Sequence, residues 1–350
     1  MAHQQPSPQS YPTLTIDRRW LVGLLAFGLI SVVALLFLGG GMAPVVAIRQ
    51  AEWPFLLVAL GIHYSGFGVR GLRWQTLLGG MGHRLPYGYC TSLLIVGWFV
   101  SAVIPARAGD LLRIGLLHRP LRQDPTIPSI PMSSGVSSIV LERLLDMAAI
   151  LLLGASFGLV VVQAQLPEWI LLLYGTGLGL MVVVGLALFT LPHLWEGVRH
   201  ILHKIPWQHS LWQKIGTFGA ESIQQVRQLF RKPRVGLWVL LLSLYIWLCD
   251  ALLLWLVMAS LGEWNPFGSA AFIALTVDGL AAIPLTPGGV GQIEAAYAGL
   301  LAFFELPVIK LSAIILLTRT ISYWSFLLFS GLVAFAFGAG TLLKQPPKPT

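Results

Sequence analysis

Ile283-Pro284-Leu285-Thr286-Pro287-Gly288-Gly289-Val290-Gly291-Gln292-Ile293-Glu294 interrupts an otherwise apolar region with two prolines, three glycines and a carboxylate. Pro287 supplies no backbone donor and the glycines weaken a helix, so the backbone is expected to open here and a new helix to start near Gly291. Open backbone at membrane depth survives only inside protein or beside water. The stretch is therefore a candidate wall of a polar cavity, not a lipid-facing surface.

The surrounding chain supplies the membrane. Hydrophobic residues make up 56% of the 350 positions and charged residues only 10%, with a mean hydropathy of +0.78. A soluble domain is roughly one-quarter charged. The expected class is an all-α polytopic membrane protein, because apolar runs of about 20 residues, enough to span a bilayer, occupy nearly the whole length. No segment is left for a separate soluble catalytic domain. The net charge of +8 is better explained by topology and anionic headgroups than by nucleic acid, which is not an expected partner. The two cysteines, Cys90 and Cys249, both lie in apolar runs and indicate neither a disulfide framework nor a zinc site. With no nucleotide loop, metal cluster or nucleophile motif, no cofactor or metal is expected, no catalytic residue is assigned, and ATP-driven transport by this chain alone is disfavoured.

Taken in order, residues 1–19 form a polar tail expected to be disordered and cytoplasmic. One transmembrane domain, residues 20–340, follows, with a short cytoplasmic tail at 341–350. It reads as about six full helices, near 20–40, 53–74, 136–162, 168–191, 235–261 and 308–338, plus two broken or re-entrant hairpins at 87–113 and 267–304. The polar insertion 192–234 has the spacing of amphipathic helices lying in the cytoplasmic interface. Two halves emerge, 20–163 and 168–340, each written span, span, broken hairpin, span. An odd number of full spans per half makes the second half an inverted copy of the first. With a cytoplasmic N-terminus, Arg18, Arg19, Arg70, Arg73, Arg84, Arg113, Arg119, Arg122, the basic insertion, Lys344 and Lys348 fall inside, and only Arg49 and Lys310 fall outside. That asymmetry places both termini in the cytoplasm, most simply of a bacterial plasma membrane.

Ionisable groups at membrane depth carry the chemistry, since each costs about 2.5–3.5 kcal/mol at a helix centre. Glu142, Arg143, Asp146, Asp250, Asp278, Glu294 and Arg319 must be paired or hydrated. Glu142 and Asp146 share a helix face, and Arg143 is placed to pair with Asp146. Arg107, Asp110 and Arg113 would form a charged ladder on a short helix, and their guanidinium groups match a lipid phosphate. A buried ion network that merely fixes packing is the structural alternative. Asp250 and Asp278 are secondary candidates, and His63 reads as a packing histidine.

Together these pieces resemble the lysylphosphatidylglycerol synthase transmembrane family, also described as flippase-like integral membrane proteins. The resemblance rests on Pro105-Ala106-Arg107-Ala108-Gly109-Asp110 with Arg113, on Glu142-Arg143 with Asp146, on Pro287-Gly288-Gly289-Val290-Gly291 with Glu294, and on Arg319. Asp110 stands where Glu would be expected, which keeps the charge and shortens its reach. The resemblance implies movement of a phospholipid, glycolipid or polyprenyl lipid between leaflets, through two re-entrant helix pairs around a hydrophilic cavity. The chain ends without the aminoacyltransferase domain of bifunctional members, so lysyl transfer is not expected. The candidate substrate-binding residues are Arg107, Asp110, Arg113, Glu142, Arg143, Asp146, Pro287, Gly288, Gly289, Gly291, Glu294 and Arg319. An intramembrane enzyme or accessory subunit of cell-envelope lipid glycosylation, or a small-solute transporter, is the competing class. A membrane lipid with an anionic headgroup is the expected partner, with a second copy of the chain or an envelope-biosynthesis enzyme as further partners this reading admits.

Overall fold

The computed structural model describes residues 33, 41–104, 107–118, 128–161, 168–183, 186, 221, 224–225, 232–283, 286–304 and 306–336. All of the first expected span but Val33, nearly all of the 192–234 insertion and both tails lie outside the described residues. Everything described is helix or connecting turn. In chain order the helices are α1 (Ala43–Arg49), α2 (Trp53–Gly80), α3 (Tyr87–Val103), α4 (Ala108–His118), α5 (Met132–Val161), α6 (Glu168–Val183) and α7 (Pro233–Ser260). They continue as α8 (Phe267–Ala281), a single 3-10 turn (Pro287–Gly289), α9 (Gln292–Phe303), α10 (Val308–Arg319), a π-helical turn (Thr320–Trp324) and α11 (Ser325–Ala334).

Among the described residues, three stretches are long and apolar enough to cross a membrane: α2, α7 and the continuous Val308–Ala334. At 1.5 Å per residue, a 28-residue helix such as α2 or α7 is about 42 Å long, against roughly 30 Å of hydrocarbon. α2 runs on to Gly80, beyond the expected end at Trp74, and this corrects the reading of its arginines. Arg70 and Arg73 are not charges at a membrane edge; both are buried within the bundle.

α2 and α7 pack antiparallel along their whole length. At one end the Glu52 N–H donates to the Ser260 carbonyl at 2.8 Å, and at the other Lys232 Nζ donates to the Gly80 carbonyl at 3.1 Å. Each helix then leads into its hairpin through the same turn. Gly82 and Gly262 take left-handed φ values of 94° and 77°, which glycine adopts without a Cβ penalty. His83 N–H returns to Leu78 O at 2.9 Å and Glu263 N–H to Met258 O at 3.0 Å. Pro86 and Pro266 next start α3 and α8 from extended backbone.

The hairpin legs α3, α4, α8 and α9 contain 17, 11, 15 and 12 residues, each shorter than the roughly 20 that a crossing requires. α8 is buried at every position from Ser269 to Val277, and a helix apolar all round belongs in a protein interior. It packs with α7, α9 and α10 into the largest core cluster, which includes Leu254, Phe272, Ile273, Leu301 and Ile314. α3 and α4 close on each other at Gly97 and Gly109, so tightly that a Cβ on Gly109 would lie 1.6 Å from the Gly97 carbonyl oxygen.

His83, between α2 and α3, lies within 2.8 Å of Ser134 Oγ, tying that turn to the start of α5. Burial pushes its pKa below the usual 6.5. Since the unfolded chain then binds more protons on acidification, stability linked to His83 is present above about pH 6.5 and is lost as the pH falls toward the folded value. Thermal unfolding in detergent should therefore show the native protein losing stability relative to His83→Asn between about pH 7 and pH 5.

Gly109→Ala is expected to destabilise by at least about 1–3 kcal/mol, the usual cost of overpacking. Gly115→Ala, on the same helix but facing open space, should be neutral or gain up to about 1 kcal/mol. The same thermal unfolding measurement separates the two.

Candidate functional site

The charged residues converge where α4, α5, α2 and α7 meet. α5 carries Glu142 and Arg143 side by side and Asp146 one turn on, α4 brings Asp110 and Arg113, and α2 adds Arg73. Arg113 is fully buried and grips Glu142, Nη2 to Oε2 at 2.8 Å and Nη1 to Oε1 at 3.5 Å. Its guanidinium also lies over the Trp74 ring at 4.1 Å, and Trp74 is held by its own N–H bond to Ser138. Arg73 Nη1 donates to Asp146 Oδ1 at 2.6 Å and to Ser243 Oγ at 2.8 Å, with Nη2 3.7 Å from Glu142. Trp247 Nε1 donates to the same Asp146 oxygen at 3.2 Å.

Three arginines thus face three carboxylates, and the cluster neutralises itself. Arg143 is the looser member. Its contacts with Asp110, Asp146 and Glu142 are 3.4, 3.5 and 3.8 Å, and 31% of its side chain is exposed, against 0–1% for Arg113 and Arg73. The other two guanidinium groups are fixed by short bonds from several sides, whereas Arg143 has room to exchange partners.

Arg107 does not join the expected ladder. α4 begins at Ala108, so Arg107 stands outside the helix with a left-handed φ of 52°, a strained conformation for a residue with a Cβ. Its Nη2 donates to the Ala282 carbonyl at 2.6 Å, reaching from the break in the first hairpin to the break in the second. Arg113, expected to offer a phosphate site, is instead committed to Glu142.

The second break is built as the sequence suggests. Gly288, Gly289 and Gly291 all take left-handed φ, at 59°, 66° and 82°. α9 then starts at Gln292, and Glu294 Oε2 accepts from the Gly291 N–H at 2.7 Å. A carboxylate caps the positive helix end there. Its other oxygen receives Arg319 Nε at 2.7 Å, and Arg319 Nη2 donates to the Gly288 carbonyl at 3.3 Å. Directly after Arg319 the last span widens into its π turn, a distortion that is frequent at functional sites. There Tyr323 lies under the Arg319 guanidinium at 4.5 Å. The Tyr323 hydroxyl donates to Ala102 O of α3 at 3.4 Å, and its ring packs so closely on Gly288 that no Cβ would fit. Arg107 and Tyr323 therefore bridge the two breaks.

Asp250 lies apart from the arginine–carboxylate cluster. It pairs with Arg70 at 3.0 Å and lies 3.6 Å from His63 Nδ1. Arg70 and Arg73 were the residues sequence reasoning misread, whereas His63 is buried in α2 as the sequence suggests. The available signal was the Gly79-Gly80-Met81-Gly82 turn, which ends α2 well beyond Trp74 and places both arginines inside the helix.

The model of the family described as the lysylphosphatidylglycerol synthase TM region matches residues 20–330. A UPF0104 membrane protein of Methanothermobacter thermautotrophicus is 24% identical over 312 residues, covering 85% of this chain and 88% of the relative. One from Methanocaldococcus jannaschii is 25% identical over 248 residues, 71% of this chain and 97% of its own. The glycosyltransferase AglD of Haloferax volcanii is 26% identical over 333 residues, which cover 82% of this chain and 49% of AglD.

Removing one partner of a buried ion pair costs about 3–5 kcal/mol. Arg73→Met should incur that loss, because it removes the nearest positive partner of buried Asp146, 2.6 Å away. Arg143→Gln, with the same change in charge, should lose clearly less. Unfolding midpoints of the two variants in one detergent test the order.

Proposed function

The chain belongs to the lysylphosphatidylglycerol synthase transmembrane family, and from that premise we propose that it carries a lipid with an anionic headgroup between membrane leaflets. The observation that supports this most directly is the contrast among its arginines. Arg73, Arg113 and Arg319 are held by short bonds to carboxylates. Arg143 is partly exposed and loosely held, and Arg107 makes no ion pair among the described residues, only a bond to a carbonyl. With the three-and-three cluster balanced, Arg107 leaves the region with one surplus positive charge beside two opened backbones. A phosphate or phosphodiester would complete it, since guanidinium groups bind such groups bidentately.

In this reading the headgroup passes Arg107 and Arg143 while its acyl chains stay in lipid. Asp110, Glu142 and Asp146 release Arg143 to the headgroup and recapture it afterwards, and Glu294–Arg319 forms the wall on the second hairpin. We take the architecture to be two inverted halves of three full spans and one broken hairpin each, rocking to alternate access. The antiparallel α2–α7 pair and the matching turns at Gly82 and Gly262 support that arrangement. The positive residues left in the loops support cytoplasmic termini in a plasma membrane. The partly covered match to a protein named as a glycosyltransferase favours a second reading, participation in lipid glycosylation.

Proteoliposomes containing fluorescently labelled phosphatidylglycerol or labelled polyprenyl phosphate, with a membrane-impermeant quencher outside, decide between the two. The full chain should accelerate crossing of at least one of these lipids without forming a covalent product. Arg143→Gln and Arg107→Gln should each slow crossing about tenfold or more, equivalent to about 1.4 kcal/mol of barrier, and Arg143→Lys should retain part of it. A new covalent lipid product with no crossing would favour the glycosylation reading.

A further inference from the structure

Between α2, α7 and α8 lies a second group of ionisable side chains that the proposed headgroup path does not use. His63 is 5% exposed, and neither of its ring nitrogens makes a hydrogen bond. Its Nδ1 points at Asp250 Oδ1 from 3.6 Å, just beyond bonding range. An uncommitted imidazole buried against a carboxylate is uncommon, because a buried polar group without a partner costs about 1–3 kcal/mol. Asp278 on α8 shows the same shortfall: its Oδ2 is buried and unpartnered, and its charged neighbours are Asp250 and Arg70.

Charge counting defines what is missing. Arg70 and Asp250 form an ion pair at 3.0 Å and cancel. Arg70 is further enclosed by the rings of Phe67, Trp98 and Trp247, at 5.4, 5.1 and 5.6 Å, so it stays cationic and in place. Asp278 is then one negative charge too many for a buried site, and a neutral His63 leaves it uncompensated. Adding one proton, to either the carboxyl or the imidazole, restores neutrality.

We propose that His63, Asp250 and Asp278 form a proton-binding site that holds one exchangeable proton, shared between the imidazole and a carboxyl group. The proton is the ligand; no bond other than N–H or O–H forms or breaks, and its loss returns the site to one negative charge. The other elements facing the site contribute Tyr174 from α6, whose hydroxyl pairs with Thr276 at 3.0 Å, and Tyr297 from α9. Ser65, Tyr245 and Cys249 form a neutral polar chain on its outer side. Tyr297 is buried, stands one turn after Glu294, and has Asp278, Asp250, Arg319 and Glu294 as its charged neighbours. It places the proton site and the Glu294–Arg319 wall within electrostatic reach of each other. Resting on the transport reading for what it would drive, the inference adds an energy source: loading and unloading this proton changes the charge beside the second hairpin.

Infrared spectroscopy of the purified full chain in detergent tests the site itself. A protonated-carboxyl band should appear and disappear as the pH is moved between about 5 and 9, a window that takes in the ordinary titration range of imidazole. Asp278→Asn should abolish the band, and His63→Asn should move its midpoint. Absence of any titrating carboxyl band in the native protein overturns the proposal whether or not the variants fold. So does a band untouched by Asp278→Asn, or one that responds to sodium and not to pH. The coupling is tested separately in the lipid-crossing proteoliposomes, where an imposed pH difference should stimulate crossing severalfold in the native protein and not at all in Asp278→Asn. Crossing that ignores the pH difference overturns the coupling and leaves the transport reading intact. A titrating band in a protein that moves no lipid keeps the proton site and removes the transport reading.

Discussion

A charged side chain in hydrocarbon requires a counter-charge, and the fold is arranged around meeting that requirement inside the protein. α5 could not sit in a membrane with Glu142, Arg143 and Asp146 facing lipid, because their combined cost would approach the stability of a whole domain. Arg73 from α2 and Arg113 from α4 remove that cost, and in doing so they fix how three helices meet. The short α3–α4 hairpin is drawn against α5 by the Arg113–Glu142 pair and pressed on itself at Gly97 and Gly109. α2 is held between α5 and α7 by Arg73, which bonds Asp146 on one and Ser243 on the other.

Once the charges are enclosed, the breaks become possible. Opened backbone at Ile104 and Arg107, and again from Pro287 to Gly291, would be untenable against acyl chains. Here the carbonyls they release are taken by side chains: Ala282 by Arg107, Gly288 by Arg319, and Ala102 by Tyr323. The same arginines that need counter-charges thus satisfy the backbone that the prolines and glycines disrupt. Glu294 joins both roles, capping α9 and pairing with Arg319. Burial of the polar parts and interruption of the helices are two aspects of one arrangement, in which Arg143 is the most loosely held guanidinium and Arg107 is held by a carbonyl alone.

The strain at Arg107 and the π turn after Arg319 lie at the two places where the hairpins touch. Both aim an aromatic or guanidinium group across the junction. Stored irregularity of this kind is concentrated at functional sites, and it gives the hairpin junction a physical distinction from the rest of the bundle.

Much of this was legible in the chain itself. Composition alone specifies a helical membrane protein, because 56% hydrophobic residues in long runs have no other stable solvent. The second break was readable at near-residue level, since left-handed glycines after a proline admit few backbones, and α9 does begin one residue after Gly291. The pairing of Arg143 with Asp146 follows from helical spacing. What the sequence could not supply was partnership across helices. Arg70 and Arg73 look like loop charges when counted along the chain, and only packing shows that they answer Asp250 and Asp146, 180 and 73 residues away. Arg107, Asp110 and Arg113 share a spacing, and Asp110 and Arg113 do pair at 3.4 Å, yet the helix starts after Arg107, which turns instead to the Ala282 carbonyl. Spacing governs neighbours within one helix, whereas the choice of counter-charge is made by which helices the hydrocarbon forces together, and that is decided only in three dimensions.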